Sequence, residues 1–256
     1  MFEVEMTPNL LGIKISGAYD DLDQLYDAVW DLCIADGNPD SAARKATLDE
    51  QIMSERLLAL CYDLRHAYMG SRNIELLPGD VNQDVADWHG IEVPDKRVVL
   101  SVEVLYPEAM YEYLVLDYLI DRRQRVEKVP VYRDKSSTMV MLYQAKLLEA
   151  VGKVASKGRF SNIRSSIARA TLDIPMMYTQ WVDILDCDYG AMTKKRRLES
   201  LATIVRDLVE YPLHDDYCQM KHDVDDYVKK QGRQYPGLRN EIRLNLAWPD
   251  EEDVPW

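Results

Sequence analysis

The chain opens with alternating apolar and polar positions on both sides of a Thr7-Pro8-Asn9 turn. Residues 2–6 place an apolar side chain at every second position, and residues 11–15 repeat the pattern. A period of two is typical of strands with one buried face, so this segment predicts a β-hairpin. From Asp20 onward apolar residues recur at intervals of three and four, which predicts a helix.

The middle of the chain mixes the two periods. The predicted elements are a helix over 48–69, strands over 74–77 and 98–105, and a helix that begins at Pro107 and ends in the basic run 121–125. Gly70 is a favourable residue to end a helix, and proline suits a first helical turn. The polar residues 36–47 predict a mobile loop.

After residue 136 the apolar period is almost entirely helical. The predicted helices span 137–157, 161–173, 176–187, 193–210 and 213–231. Residues 242–248 return to a period of two, and we predict a strand there that rejoins the N-terminal sheet.

Strands first and helices later favour an α+β protein over an alternating α/β one. The expected fold is a small antiparallel sheet with helices on one face, followed by a mainly α-helical C-terminal half. We divide the chain into an α+β domain (1–130) and a helical region (131–256) that packs on it to form one compact unit.

The composition indicates a globular protein without a membrane segment. No run approaches the roughly 18 apolar residues that a membrane span requires, and the N-terminus lacks the basic and apolar regions of a signal peptide. The chain has no CxxC pair, and its widely spaced cysteines indicate buried free thiols in a reducing compartment. They are Cys33, Cys61, Cys187 and Cys218. We therefore expect a cytoplasmic protein.

The net charge of −13 is unevenly distributed. Residues 1–120 hold 8 Lys/Arg against 23 Asp/Glu, whereas residues 121–171 hold 12 against 4. An acidic front half argues against nucleic-acid binding by the chain as a whole. The basic segment 121–171 either packs beside the acidic half of its own chain or of a sister subunit, or forms a local face for nucleic acid.

The aromatic residues are skewed toward those with a polar atom, with 16 Tyr and 5 Trp against 2 Phe. Such side chains suit surfaces where an apolar body meets a wet edge, including protein interfaces. The binding residues that we single out lie on the 48–69 helix and shortly after it. They are Tyr62, Arg65, Tyr68 and Trp88.

The richest polar cluster surrounds His66, near the end of the same helix. If His66 meets His89 together with Asp63 or Asp87, the group forms a metal site with two histidines and one carboxylate, or a general acid-base pair. The candidate catalytic residues are then Asp63, Arg65, His66 and His89. The structural alternative pairs Arg65 with Asp63 or with an acid of the first helix, while His66 bonds a loop carbonyl.

His214, Cys218 and His222 are spaced four residues apart and line up on one predicted helix face. Neighbours in such a row can share a metal ion, but all three cannot, because the ends are about 12 Å apart at the helical rise. The alternative places Cys218 in the core and the histidines at its boundary. No metal or cofactor is assigned on this basis.

Three segments of the chain are similar to a bacterial family known only as a domain of unknown function. They read TPNLLGIKISGAYDDLDQLYDA near the N-terminus, CYDLRHAYMG at 61–70 and DWHGI, with its WHG motif, at 87–91. A later stretch, YTQWVDILDCDYGAMTKKRRLESLATI at 178–204, resembles the same family. The resemblance implies a bacterial, cytoplasmic origin, and it implies no activity, ligand or catalytic residue.

No short catalytic motif such as GxSxG, HExxH or GxGxxG occurs. Lys194-Lys195-Arg196-Arg197 is placed at a predicted helix N-terminus, where cations are unfavourable. This suggests an anionic ligand or an acidic partner, and the alternative is a solvated charge run. The leading hypothesis is a non-catalytic interaction or regulatory protein whose acidic N-terminal half binds a protein partner. The alternatives are a hydrolase or metal-assisted enzyme centred on His66 and His89, and a nucleic-acid binder through residues 121–171. Homo-oligomerisation is compatible with each of these.

Overall fold

The computed structural model describes residues 1–33, 47–79, 81–170, 177–231, 242–247 and 256. The strands are β1 (Glu3–Met6), β2 (Gly12–Gly17), β3 (Asn73–Pro78) and β4 (Lys96–Leu105). The helices of the N-terminal half are α1 (Tyr19–Leu32), α2 (Leu48–Tyr68), α3 (Gln83–His89) and α4 (Tyr106–Arg122). Those that follow are α5 (Lys135–Val154), α6 (Lys157–Arg169), α7 (Thr179–Gly190), α8 (Lys194–Val209) and α9 (Asp215–Lys230). The α+β class is confirmed.

The four strands form one antiparallel sheet in the order β1-β2-β4-β3. Its register aligns apolar residues across the strands, with Val4 opposite Ile15 and Ile15 opposite Val102. These side chains are buried beneath the helices. The opposite face carries polar side chains, among them Lys14, which forms an ion pair with Glu75. The predicted sheet with helices on one face is therefore confirmed.

The first hairpin depends on Thr7 and Gly12. The Gly12 N–H donates to Thr7 Oγ1 at 3.0 Å, and the Thr7 N–H donates to the Gly12 carbonyl at 2.9 Å. Gly12 also lies against β4, where an added Cβ would be 1.9 Å from the Val104 carbonyl oxygen. Only glycine allows this approach between the strands.

Local signals set both ends of α2. Thr47 and Glu50 form a reciprocal capping box at the start. At the end, Gly70 adopts a φ of +77°, and the Ser71 N–H donates to the His66 carbonyl at 2.8 Å. This left-handed glycine, with the 6→1 backbone bond of a Schellman motif, ends the helix as the sequence predicts.

The structure corrects the predicted course of the chain in three places. No element was predicted between the strands over 74–77 and 98–105, and the structure has the short helix α3 there, which contains Asp87, Trp88 and His89. The break predicted between the helices over 137–157 and 161–173 falls earlier, at Ser156, which caps α6, so residues 158–160 are helical. The predicted loop over 36–47 lies, except for its last residue, outside the described residues.

The third correction concerns the C-terminal segment. Residues 242–247 are irregular and do not join the sheet; Trp248 lies outside the described residues. The segment lies against α7 and α9 instead, where Gln180 donates to the Ile242 carbonyl at 3.1 Å and Leu244 packs on the core. A period of two signals burial on one side, and here the covering surface is helical.

Buried residues from both predicted parts of the chain belong to one hydrophobic cluster. Two tyrosine hydroxyls connect the parts: Tyr189 donates to the Leu10 carbonyl at 2.7 Å, and Tyr106 to the Leu201 carbonyl at 3.0 Å. The boundary at residue 130 itself stays a prediction. Within the described part of the chain no helix combines the length and the apolar character needed to cross a bilayer.

The cysteines depart in part from the expected burial. Cys33 and Cys61 are buried, Cys187 is half-buried and Cys218 is exposed, and all four are free thiols. The apolar period correctly predicted the helices of Cys187 and Cys218. It did not show that these two cysteines lie outside the buried faces of those helices.

Gly12→Ala is expected to lower the free energy of unfolding by about 3 kcal/mol, because the new methyl group meets backbone atoms that cannot move aside. Gly158→Ala is the matched control, since an added Cβ there meets nothing within 4 Å. It should stabilise α6 by up to about 1 kcal/mol. Urea unfolding of both variants measures the difference, and similar values for the two would contradict the close approach at β4.

Candidate functional site

The histidines of the predicted polar cluster keep separate neighbours. The His66 ring lies 4.1 Å from the ring of Tyr62, on its own helix, and the His89 ring stacks beside Trp88 at 6.1 Å. No contact joins His66 to His89 in the part of the chain that the structure describes, and that part contains no group of three or more His, Cys, Asp or Glu positioned for a metal ion.

The predicted pairing of Arg65 is wrong. Asp63 is bound instead by Arg72, with 2.5 Å between the guanidinium and the carboxylate. Arg65 is exposed, and its guanidinium carbon lies 5.7 Å from the centre of the Tyr62 ring. Asp63 and Arg65 are only two residues apart on α2, but residues at that spacing lie on different faces of a helix and do not meet.

The predicted binding residues are divided between two places. Tyr62 and Arg65 border a cavity of about 180 Å³ between α1 and α2. Tyr68 packs edge-on against Tyr19 and Tyr26 of α1, with ring centres 5.2 and 5.9 Å away. Tyr68 therefore joins two helices, whereas Trp88 lies on α3.

His214, Cys218 and His222 do not share one ligand position. His214 precedes α9 as its N-cap, with its ring 4.7 Å from that of Trp181. The Cys218 thiol is 3.6 Å from the Pro212 carbonyl, and His222 is exposed beside Asp223 and Asp226. Each side chain has its own local partner.

The most unusual surface is an arm formed by residues 73–79 and 81–98, that is β3, α3 and the first part of β4. Most of its described side chains are exposed, with Ala86 as the buried exception. β2 pairs with β4 only as far as Leu100, so beyond that point the arm continues as a two-stranded ribbon. The Gly79 N–H donates to the Asp95 carbonyl at 2.8 Å and closes the end of the ribbon.

One face of the arm carries an uncovered apolar row, Ile74, Leu76 and Val98. Leu76 lies opposite Val98, and Ile74 opposite Leu100, so the row continues the face of the sheet that forms the core. Leu100 is 7% exposed, whereas Ile74, Leu76 and Val98 are 54%, 62% and 51% exposed. The covering layer of helices therefore ends at Leu100, and the apolar face continues without it.

The helix α3 adds further apolar surface to the arm. Asn82 caps its start by accepting from the Asp84 N–H at 2.8 Å, and Gly90 ends it in a left-handed conformation. Val85 and Trp88 lie one turn apart, on one side of the helix, and are 49% and 85% exposed. A tryptophan this exposed leaves nearly all of its large apolar ring in water.

The charges around this apolar surface are mostly negative. Residues 73–98 contain six Asp/Glu against two Lys/Arg. Four of the acids surround α3 and are exposed: Asp84, Asp87, Glu92 and Asp95. The arm therefore combines an apolar row with an acidic rim. Alternation in the sequence predicted the strands correctly but could not show that nothing covers their apolar face.

A second feature, which the sequence pattern did not reveal, is an ionic network around the half-buried Arg56 of α2. Its Nε donates to Glu108 of α4 at 3.0 Å, and its Nη1 donates to Asp183 of α7 at 2.9 Å and to the Thr179 carbonyl at 3.0 Å. Asp186 lies 3.7 Å from Nη2 and accepts from the Glu108 N–H at 3.1 Å. One guanidinium thus joins three helices, and Asp186 caps the start of α4.

Burial raises the pKa of two acids in this region, Asp186 and Glu112. It raises the pKa of Asp186 well above its usual value, and Glu108 adds to the effect. Glu112, one turn further along α4, is fully buried, and its pKa is raised by burial and by Glu108. Burial opposes the charge of Arg56 too, but Glu108 and Asp183 outweigh it and raise the pKa of Arg56. All three nitrogen atoms of the Arg56 guanidinium donate hydrogen bonds within the protein, so the network has a structural role and connects the three helices.

The fold and the surface define an α+β protein with an exposed, acidic-rimmed apolar arm. The chain belongs to the family described as Domain of unknown function (DUF6904), whose family model matches residues 2–256. This agrees with the resemblance to a family of uncharacterised proteins. No curated protein and no solved structure matches the chain.

Arg56→Ala is expected to lower the free energy of unfolding by roughly 3–5 kcal/mol, because it leaves the half-buried carboxylates of Glu108 and Asp183 without their counter-charge. Arg65→Ala, on the same helix, removes an exposed side chain without a carboxylate partner among the described residues, and should change stability by less than about 0.5 kcal/mol. Urea unfolding compares the two. Equal losses would show that the Arg56 network contributes no more than a surface cation.

Glu112→Gln tests the buried acid. Because the pKa of Glu112 is raised in the folded state, the stability that its protonated form provides is complete below the unfolded pKa and is lost as pH rises toward the folded value. Gln is neutral at every pH, so the variant should gain on the parent protein above about pH 4.3, by up to about 1.4 kcal/mol per pH unit. Unfolding between about pH 4 and pH 8 measures this, with exposed Glu92→Gln as the control. A difference that does not change with pH would mean that Glu112 titrates normally.

Proposed function

We propose that the protein is a non-catalytic interaction protein that binds a protein partner through its arm. The observation that carries the proposal is the apolar row Ile74, Leu76 and Val98, which continues the core face of the sheet into solvent. A fold gains nothing from leaving such a row uncovered. Contiguous exposed apolar surface with a polar rim is typical of interaction sites.

Two parts of the arm suit the centre of an interface. Burying a large aliphatic side chain is worth roughly 1.5–3 kcal/mol, and the row offers three of them side by side. Trp88 provides the kind of large aromatic anchor that dominates binding energy in many interfaces. With Val85 one turn away, it lets the partner cover α3 as well as the ribbon.

The acidic rim favours a partner with a basic surface around an apolar centre. The exposed acids of α3 and its flanks belong to the strongly acidic half of the chain, where 23 Asp/Glu face 8 Lys/Arg over residues 1–120. Such a field steers a basic partner toward the arm and disfavours an acidic one. The affinity should therefore fall as salt screens the rim.

The enzyme alternative has less support from the geometry. It requires His66 and His89 to act together, and each of these rings contacts a neighbour on its own helix instead. The remaining alternative, a nucleic-acid binder, rests on a different part of the chain from the arm.

The proposal is tested with two pairs of matched variants. Leu76→Ser and Trp88→Ala change the arm, while Leu213→Ser and Tyr132→Ala change similarly exposed residues elsewhere, which are 82% and 77% exposed. All four should keep the stability of the parent protein to within about 0.5 kcal/mol, because none is packed in the core.

The immobilised parent protein and the four variants are incubated with extract from cells that express it, and the bound proteins are quantified by mass spectrometry. We expect at least one protein that the parent and both control variants retain and both arm variants lose. Calorimetry with that protein should show about 30-fold weaker binding to Trp88→Ala, as for a hot spot of ~2 kcal/mol. Equal retention by arm and control variants would refute the proposal.

A further inference from the structure

Several cations of the basic segment 121–171 that precede α6 pair with acids of the front half of the chain. Arg122 pairs with Glu50 at 2.8 Å, Arg123 with Asp31 at 2.6 Å, and Lys146 with Glu3 at 2.9 Å. This part of the segment packs beside the acidic half of its own chain, as the charge distribution predicts.

A cluster of cations from two helices has no such partners. It consists of three cations of α6 and three at the start of α8, of which Arg159 is half-buried and the others are exposed. In the described part of the chain none of them forms an ion pair, although the chain contains 44 Asp/Glu. The group is Lys157, Arg159, Arg164, Lys194, Lys195 and Arg196. We call it the basic face.

Arg197, the next residue of the run, shows the contrast. It is buried and donates to the backbone carbonyls of Tyr189, Gly190 and Asn9 at 3.2, 2.7 and 3.2 Å. It thus satisfies two backbone carbonyls at the C-terminal end of α7 and one carbonyl of the first hairpin. Packing therefore accounts for Arg197 and leaves the other three cations of the run without a structural role.

The two helices of the basic face pack side by side. Arg169, in the last turn of α6, pairs with Glu210, the C-cap of α8, at 3.1 Å. Their C-terminal ends are therefore adjacent, and since the helices also pack along their length they run in the same direction. Between them lies a polar cavity of about 210 Å³, lined by Asn162, Ser165, Ser166, Arg169, Ala202, Thr203 and Arg206.

The N-termini of both helices consequently lie at the same end of the pair. Ser156 and Thr193 cap them, and neither first turn contains an acid. A helix N-terminus is already positive, so the cations of Lys157 to Arg159 and Lys194 to Arg196 add charge of the same sign. This arrangement is unfavourable for the isolated fold and favourable for an external polyanion.

We propose that the basic face binds the phosphate backbone of a double-stranded nucleic acid. The described parts of α6 and α8 carry no large exposed apolar or aromatic side chain, so they offer neither a stacking platform for single strands nor a wedge for a membrane. The exposed Ser161, Asn162 and Ser165 add neutral donors of the kind that contact phosphate oxygens. This inference is independent of the arm and its partner.

The decisive variant is Lys194→Glu/Lys195→Glu, and its matched control is Lys229→Glu/Lys230→Glu at the end of α9, with the same change of charge on equally exposed residues. Binding of labelled DNA and RNA duplexes of about 20 base pairs is followed by fluorescence anisotropy over a series of salt concentrations. We expect the first variant to bind at least tenfold more weakly than the parent protein at low salt. Its log–log salt slope should be smaller by about 1.8, since each lost phosphate contact removes about 0.9. The control should keep the slope of the parent.

The melting temperature separates lost binding from lost folding. Glutamates at a helix N-terminus are favourable, so the first variant should melt at or above the parent temperature, while the control reverses favourable C-terminal cations and should melt slightly lower. Preferential binding to either DNA or RNA duplexes supports the proposal and identifies the ligand. Absence of duplex binding by the parent, equal losses in both variants, or binding to phosphatidylserine vesicles in place of duplexes would overturn it.

Discussion

The contacts of a single half-buried guanidinium hold together three helices that are far apart in sequence. Arg56 joins α2 to Glu108 of α4 and Asp183 of α7, and Asp186 accepts from the Glu108 N–H in the first turn of α4. α4 follows β4 without a linking residue, so fixing its start also fixes the end of the central strand. The same helix α2 leads through Gly70 into β3. The position of the arm therefore follows from how α2 is held.

Burial of charge is the common constraint behind the rest of the ionic structure. Several cations pair with acids of the N-terminal half that the fold has partly removed from water. Arg122, for example, pairs with Glu50, which also accepts from the Tyr118 hydroxyl. Where an acid is fully buried, as in Glu112, burial favours the protonated form. The cations of the basic face lie together on two adjacent helices and form no ion pair among the described residues, although the chain contains 44 Asp/Glu.

Much of the fold could be predicted from the sequence, and the site could not. The hairpin, α1 and α2 were predictable because period, caps and turn residues are local signals. The covering of an apolar face is not local: Val98 and Val102 look alike in the alternation, yet only one of them is buried. Likewise Arg56 and Arg65 are both arginines of α2. Arg56 connects three helices because α4 and α7 pack against it, whereas Arg65 is exposed.

The two proposed surfaces have opposite charge, which raises the question of whether two copies of the chain bind each other through them. Such a contact would join different surfaces and, unless its rotation closed a ring, would build an open chain of molecules. The apolar row of the arm argues against it. Its burial requires a complementary apolar surface, and the described parts of α6 and α8 expose no large apolar side chain. Surface charge alone contributes little once salt is present. The proposed partner of the arm is therefore apolar at its centre, and the proposed ligand of the basic face is a different molecule.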